Sequence, residues 1–290
     1  MKLGSAKKAR LTANDTIILL AAEPFDAEKI PDEIQQIIAK ADLSHFRGKT
    51  QEIISVSLKS EPTVIIAGYG KDDEADEEAI RNASSSAIKT AIKLRKKNIQ
   101  AYPPISRTIS EEQMIGAIAE GCYLSNYSFS KYKSDPENSA KIDGLTIVSS
   151  FTGIAPILRQ KEIICENVLL CRDLVNETSD IANPSGIAAR AKKIGSMKKV
   201  SHTMLDRKKI ERLGMGLLSA VGRGGINGPY LVILSYKGNP SSREMVALIG
   251  KGITFDSGGL NLKQSGHIEE MRSDMAGAAA MMYTLKSAAE

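Results

Sequence analysis

The sequence predicts an α/β chain of two domains, 1–150 and 151–290, each built on a mixed or largely parallel sheet flanked by helices. Three observations predict this. Short continuous apolar runs, such as Asp15 to Ala22 and Thr63 to Ala67, have the composition of strands buried on both faces. These runs alternate with stretches whose apolar residues recur at helical spacing, the pattern of a parallel-rich sheet with helices on its faces. The 290 residues also exceed the ~100–200 typical of one domain.

The elements follow in order. After the first strand, Pro31 suits a first helical turn, and Ile34, Ile37, Ile38 and Ala41 mark one helix face. Ile54, Val56 and Leu58 alternate, as in a half-exposed strand. Thr63 to Ala67 is the next strand, ended by Gly68-Tyr-Gly70. A helix from about Asp76 carries the stripe Ile80, Ala83, Ala87, Ile88, Ala91 and Leu94, with an acidic start and a basic end that suit the helix dipole. Ser110-Glu-Glu-Gln113 is a capping box that opens another helix through Cys122. Lys131 to Gly144, with turn signals at Asp135-Pro136 and Asp143-Gly144, reads as a surface loop, and Leu145 to Val148 as a short edge strand.

In the second half, Ile164, Val168, Cys171 and Val175 mark a helix from about Ile157 that joins the domains. Pro184 opens a further helix. Val200 to Met204 reads as a strand, Gly214 to Gly224 as a helix flanked by glycines, Pro229 to Tyr236 as a strand and Met245 to Ile249 as another.

Composition narrows the function classes. Hydrophobic residues make up 42% and charged residues 25%, as in a soluble globular protein, and without tryptophan the core is mostly aliphatic. No apolar run approaches the ~20 residues of a membrane span, and the N-terminus has no hydrophobic signal core. Cys122, Cys165 and Cys171 fall in helical apolar patterns and read as buried thiols of a reducing compartment, so the expected location is the cytoplasm. The net charge of +5 permits nucleic-acid contact, but the lysines are spread along the chain. Gly68-Tyr-Gly-Lys71 and Gly250-Lys-Gly lack the full spacing of a phosphate-binding loop. A single Gly222-Arg-Gly-Gly225 between packed elements reads as a turn, and His202 as structural. His267-Ile-Glu-Glu270 lacks the cysteine pair of a zinc deaminase, and neither His-Glu-x-x-His nor Gly-x-Ser-x-Gly occurs.

The chemistry concentrates between Val246 and Ala280. An apolar run leads into Gly250-Lys-Gly-Ile-Thr-Phe-Asp-Ser-Gly-Gly259; Leu262-Lys263 follows, then Met271-Arg-Ser-Asp274 ahead of Ala276-Gly-Ala-Ala-Ala280. In a parallel sheet, ligands bind beyond the carboxyl ends of the strands, and Lys251 to Gly259 would lie at such an end. Carboxylates are hard ligands for divalent metals, Asp256 has two oxygens with which to bridge cations, and a lysine that has lost its proton can also ligate. The very small residues after Asp274 would let that helix approach the sheet closely. The same residues also admit a plain reading, with Asp274 a helix cap, Lys251 a surface charge and Asp256 a turn residue.

Gly250-Lys-Gly-Ile-Thr-Phe-Asp-Ser-Gly-Gly259, Leu262-Lys263 and Asp274-Met-Ala-Gly-Ala-Ala279 together resemble the first metal-binding segment of the leucine (cytosol) aminopeptidases. So do Glu120-Gly121 through Tyr132-Lys133, Arg172-Asp-Leu-Val-Asn-Glu177, and the Gly214–Tyr236 helix and strand. The tyrosines of the first of these also fit simple packing with a polar rim. The resemblance implies a metallo-aminopeptidase that releases N-terminal, preferably apolar, residues from peptides by two-metal activation of water. It implies Lys251, Asp256 and Asp274 as metal ligands with Asp256 bridging, Lys263 as the group that stabilises the oxyanion, and Met271 in the substrate pocket. Zinc or manganese, with magnesium as a further option, and a homo-hexamer come with it.

Thr178 and Ala276 depart from the family's usual proline and glycine. The family's second ligand phrase, Asn-Thr-Asp-Ala-Glu-Gly-Arg, is not found, so the catalytic domain is expected to be incomplete and the 290-residue segment alone inactive. The competing expectation is a non-catalytic or nucleic-acid-binding assembly protein that keeps the fold.

Overall fold

The computed structural model describes residues 1–135 and 140–290. Within the loop expected over Lys131 to Gly144, residues 136–139, including Pro136 of the expected turn, lie outside the described residues. The described chain divides into two compact units, Met1–Cys165 and Glu166–Glu290.

The first unit is a six-stranded sheet formed by β1 (Lys2–Ala6), β2 (Thr16–Glu23), β3 (Ile53–Val56), β4 (Thr63–Lys71), β5 (Asn98–Tyr102) and β6 (Gly144–Val148). Their order is β1-β6-β5-β2-β4-β3. All neighbours are parallel except the edge pair β3–β4. Its helices are α1 (Asp32–Ile38), α2 (Glu77–Lys93) and α3 (Glu111–Ser125), followed by α4 (Ile154–Asn176).

Alternation along the central strands sorts the core into two layers. Ile18, Leu20, Ile65 and Ala67 pack with Ile80, Ala87 and Ile88 of α2 and with Ile115 and Ile118 of α3. Ile17, Leu19, Val64 and Ile66 point the other way and pack with Ile34, Ile37 and Ile38 of α1. A strand covered on both faces is why these runs are apolar without interruption. Asp76 caps α2 by accepting the Ala79 N–H, and both halves of the Ser110–Gln113 capping box are present on α3. Cys122 and Cys165 are buried and Cys171 is partly buried, and burial raises the Cys122 thiol pKa.

Three features of this unit differ from the sequence expectation. β4 does not stop at Gly68 but continues to Lys71. The glycine admits a neighbouring backbone instead: a Cβ there would collide with the Lys49 carbonyl oxygen. β6 is not an edge strand, because β1 pairs along its full length, from Lys2↔Gly144 to Ala6↔Val148. β5 was not expected at all, because Gln100 breaks its apolar pattern. That side chain is held by the backbone of Arg10, receiving its N–H at 2.7 Å and donating to its carbonyl at 2.8 Å. A paired polar side chain can be buried in a strand at little cost.

The second unit contains α5 (Pro184–Ile194), β7 (Val200–Leu205), α6 (Arg207–Arg212), α7 (Gly216–Gly222), β8 (Leu231–Tyr236), a 3-10 turn (Glu269–Ser273) and α8 (Ala276–Ala289). β7 and β8 pair antiparallel, from Val200↔Tyr236 to Leu205↔Leu231. The core gathers Leu174, Ala191, Ile194, Met275, Ala279, Met282 and Tyr283, with Val232 and Leu234 against it.

The strand expected at Met245 to Ile249 is not formed. The segment is irregular, with Met245 94%, Val246 89% and Ile249 91% exposed. Apolar composition makes a strand only where another strand pairs with it, and among the described residues β7 and β8 pair only with each other. Gly250 and Lys251, directly after this segment, are nonetheless anchored. Lys251 O accepts the Ala278 N–H of α8 at 2.7 Å, and a Cβ on Gly250 would collide with Gly277 O. No helix among the described residues is long and apolar enough to cross a membrane.

Two substitutions test these close approaches. Gly68→Ala and Gly250→Ala each force a methyl into backbone, and each is expected to lower stability by about 1–3 kcal/mol in urea denaturation. Gly4→Ala, whose added methyl meets nothing within 4 Å, is the control and is expected to be neutral or slightly stabilising.

Candidate metal centre

The candidate site is built from the irregular segment before α8 and from the start of that helix. The Lys251–Ala278 hydrogen bond and the Gly250–Gly277 contact fix the Lys251 backbone against the first turn of α8. That turn carries nothing larger than alanine, which permits the approach.

Five residues later the chain reverses at Asp256. Its Oδ1 accepts the Gly258 N–H at 2.9 Å, and Lys263 N–H reaches back to Ser257 O at 2.9 Å. Gly258 has φ +87° and a Cβ there would collide with Asn261 O, so this reversal requires glycine. The loop thus returns Lys263 to Asp256, with Nζ 3.3 Å from Oδ2. The Gly258 N–H above all holds the Asp256 carboxyl below its ordinary range. Partial desolvation opposes this, and the ammonium groups of Lys263 and Lys251 reinforce it.

Asp274 follows the 3-10 turn, where its N–H donates to Met271 O at 3.3 Å. It is not a helix cap: α8 has no side-chain hydrogen bond at its N-terminus. Its Oδ1 lies 3.1 Å from Lys251 Nζ. Its Oδ2 is buried with no hydrogen-bond partner among the described residues. Buried polar atoms are almost always partnered, so an orphaned carboxylate oxygen marks a place where a cation or water is expected.

Lys251 with Asp274, and Lys263 with Asp256, therefore form two lysine–carboxylate pairs, and Lys251 is near enough to Asp256 to act on its carboxyl. Each ammonium stands beside a carboxylate oxygen, the kind of position a metal cation would take. Met271 contributes its backbone to Asp274 and is itself half-buried. The expected placement of the site at the end of a parallel strand does not hold, because the segment before Lys251 is not a strand.

The residues fit a cation on one side only. The oxygens are hard donors and one is free, but among the described residues no three His, Cys, Asp or Glu side chains cluster to hold a metal. The sequence pattern does not single out Arg272, whose Nη1 donates to Asn176 O at 3.3 Å and ties the 3-10 turn to the end of α4. An exposed arginine between acidic residues gives no signal of such a backbone contact.

Known proteins resemble this chain along most of its length. The profile described as the cytosol aminopeptidase family, N-terminal domain, matches residues 8–136, and that described as the catalytic domain matches residues 169–290. A probable cytosol aminopeptidase of Protochlamydia amoebophila is 33% identical over 249 residues, which cover 84% of this chain and 50% of that protein. One from Aquifex aeolicus is 34% identical over 252 residues, covering 86% and 50%. The chain spans about half the length of these curated relatives. Among solved structures, a mutant of tomato leucine aminopeptidase superposes with TM-score 0.82 at 26% identity, covering 99% of this chain and 59% of its own. The bottromycin maturation enzyme BotP in complex with Mn superposes at 0.76 with 23% identity, over 94% of this chain and 56% of its own, a likeness of fold. Two profiles that between them account for most of the residues, together with relatives above 30% identity, establish that the chain belongs to the cytosol aminopeptidase family.

Proposed function

We propose that this chain carries one side of the metal centre of a leucyl-type metallo-aminopeptidase that releases N-terminal, preferably apolar, residues from peptides. The observation that supports this reading best is the pairing of Lys251 with Asp274 and Lys263 with Asp256, with one oxygen of Asp274 buried and unsatisfied. Asp256 and Asp274, with Lys251 once deprotonated, would hold divalent metal. Zinc and manganese suit this mixed nitrogen and oxygen set, and magnesium suits the carboxylates. Bound there, the metal supplies Lewis acidity toward a peptide carbonyl and a site for the free α-amine.

The chain's own residues would do the rest. Lys263, its ammonium held at the edge of the site by Asp256, would offer positive charge to the oxyanion that develops on the carbonyl. Met271, half-buried beside Asp274, would present an apolar surface to the first side chain of the substrate. Peptides are thus the expected partners. A hexameric, cytoplasmic assembly belongs to the same reading, through the family.

Two carboxylates and one amine do not complete two metal shells. Our reading is therefore that the isolated 290 residues bind divalent metal weakly and are catalytically silent. The apolar run at Met245 to Ile249, exposed and without a strand partner among the described residues, supports this reading. Leucine-p-nitroanilide turnover by the purified chain with added Mn²⁺ or Zn²⁺ is expected to stay at background. A rate comparable to that of a full-length family member would overturn the inactive-segment reading.

The ligand assignment has a separate test with a defined sign. Metal at Lys251 must displace a proton, so affinity should rise with pH by about tenfold per unit, as for release of one proton. Isothermal titration with Mn²⁺ between about pH 6.5 and 8.5 should show this rise. Asp274→Asn should abolish binding, and Lys251→Met should remove the pH dependence. Affinity independent of pH, or unchanged in Asp274→Asn, would contradict the assignment. Loss of binding to DNA as salt rises, with no metal uptake, would favour the nucleic-acid-binding alternative instead.

A further inference from the structure

We propose that the first unit holds a second ligand site, separate from the candidate metal centre, which takes a small apolar molecule bearing a protonated amine. The observation is a cavity of about 310 Å³ beyond the carboxyl ends of β2, β4 and β5. Its position is the one that doubly wound sheets favour. The chain leaves β2 toward α1 on one face of the sheet and leaves β4 toward α2 on the other. A crevice opens where consecutive connections part in this way, and ligands of such sheets settle there.

The chemistry of the walls selects the ligand. Phe25, Pro31, Pro103, Pro104 and Ile105 give rigid apolar and ring surfaces. The polar groups are Asp26, Lys29, Tyr69, Asp72 and Tyr102. Both phenols are already spent as donors: Tyr69 OH gives its hydrogen to Asp72 Oδ1 at 3.1 Å, and Tyr102 OH to Glu33 Oε1 at 3.3 Å. Asp72 also receives the Arg107 N–H on Oδ2 at 3.0 Å, yet each carboxylate oxygen takes more than one donor, so accepting capacity remains. Lys29 stands 3.9 Å from Asp26, which offsets its charge.

The lining thus offers two carboxylates against one ammonium. It favours a donor-rich cation or zwitterion and disfavours an anion. Desolvation raises the Tyr69 and Tyr102 pKa values, Tyr102 to about 12, so both remain hydrogen-bond donors at neutral pH. The hydrogen bonds that Asp72 receives outweigh its own desolvation and keep it ionised.

The test uses the full 290-residue chain with a chelator present, followed by ¹⁵N amide shifts. The probes are phenethylamine (amine only), L-phenylalanine (amine and acid) and 3-phenylpropanoate (acid only). Phenethylamine and phenylalanine are expected to move the amides around Ala22, Asp72 and Arg107, and 3-phenylpropanoate is not. Asp72→Asn and Ile105→Lys should each weaken phenethylamine binding at least tenfold. The second places a cation at a side chain 78% exposed, where folding is not at risk. Asp256→Asn, in the other unit, should leave binding unchanged. The proposal fails if no first-unit amide moves at about 10 mM probe, a concentration that reveals even millimolar affinity. It also fails if the acid binds as well as the amine, if both first-unit variants bind normally, or if Asp256→Asn abolishes binding.

Discussion

The second unit depends on one close contact, the Lys251 carbonyl lying against the first turn of α8. A helix that opened with larger side chains would hold that backbone away and lose the Lys251 O to Ala278 N–H bond of 2.7 Å. The contact fixes the lysine, and the lysine meets Asp274, which the preceding 3-10 turn delivers from the other direction. Asp256 meets Lys263 through a loop that only glycine at 258 can make. Local backbone geometry therefore sets four charged side chains in two ion pairs without a strand beneath them.

Much of this was legible in the sequence, for identifiable reasons. Strands buried on both faces announce themselves as unbroken apolar runs, so β2 and β4 were visible, as were the capped helices α2 and α3. The tight seat for α8 was visible in its run of alanines and glycine. Elements whose signals are nonlocal were not legible. β5 hides behind Gln100, whose acceptability rests on the distant backbone of Arg10. β1 hides in a polar, lysine-bearing N-terminus and shows only through its pairing with β6. Met245 to Ile249 illustrates the opposite error: its side chains suit a strand, but a strand is a property of two segments. At the site, the residue types could be read in advance. The choice of Lys251 rather than the helix N-terminus as the partner of Asp274 could not, because both satisfy the same carboxylate.

The two units put charge to different uses. In the second, lysines and aspartates pair at a partly exposed surface. In the first, the phenol hydrogens of two residues that line a cavity are committed to carboxylates. Family membership bears on the first arrangement. The second rests only on where a doubly wound sheet opens and on which groups line that opening.

The central claim is that the carboxylates of Asp256 and Asp274, with the amine of Lys251, converge on a cation. Crystals of the chain grown with Mn²⁺ and measured for its anomalous scattering address it most directly. The account predicts an anomalous peak about 2.0–2.4 Å from oxygens of both aspartates, with Lys251 Nζ turned from its ion pair toward the same peak. Anomalous density elsewhere, with both lysine–carboxylate pairs intact at saturating Mn²⁺, would contradict it.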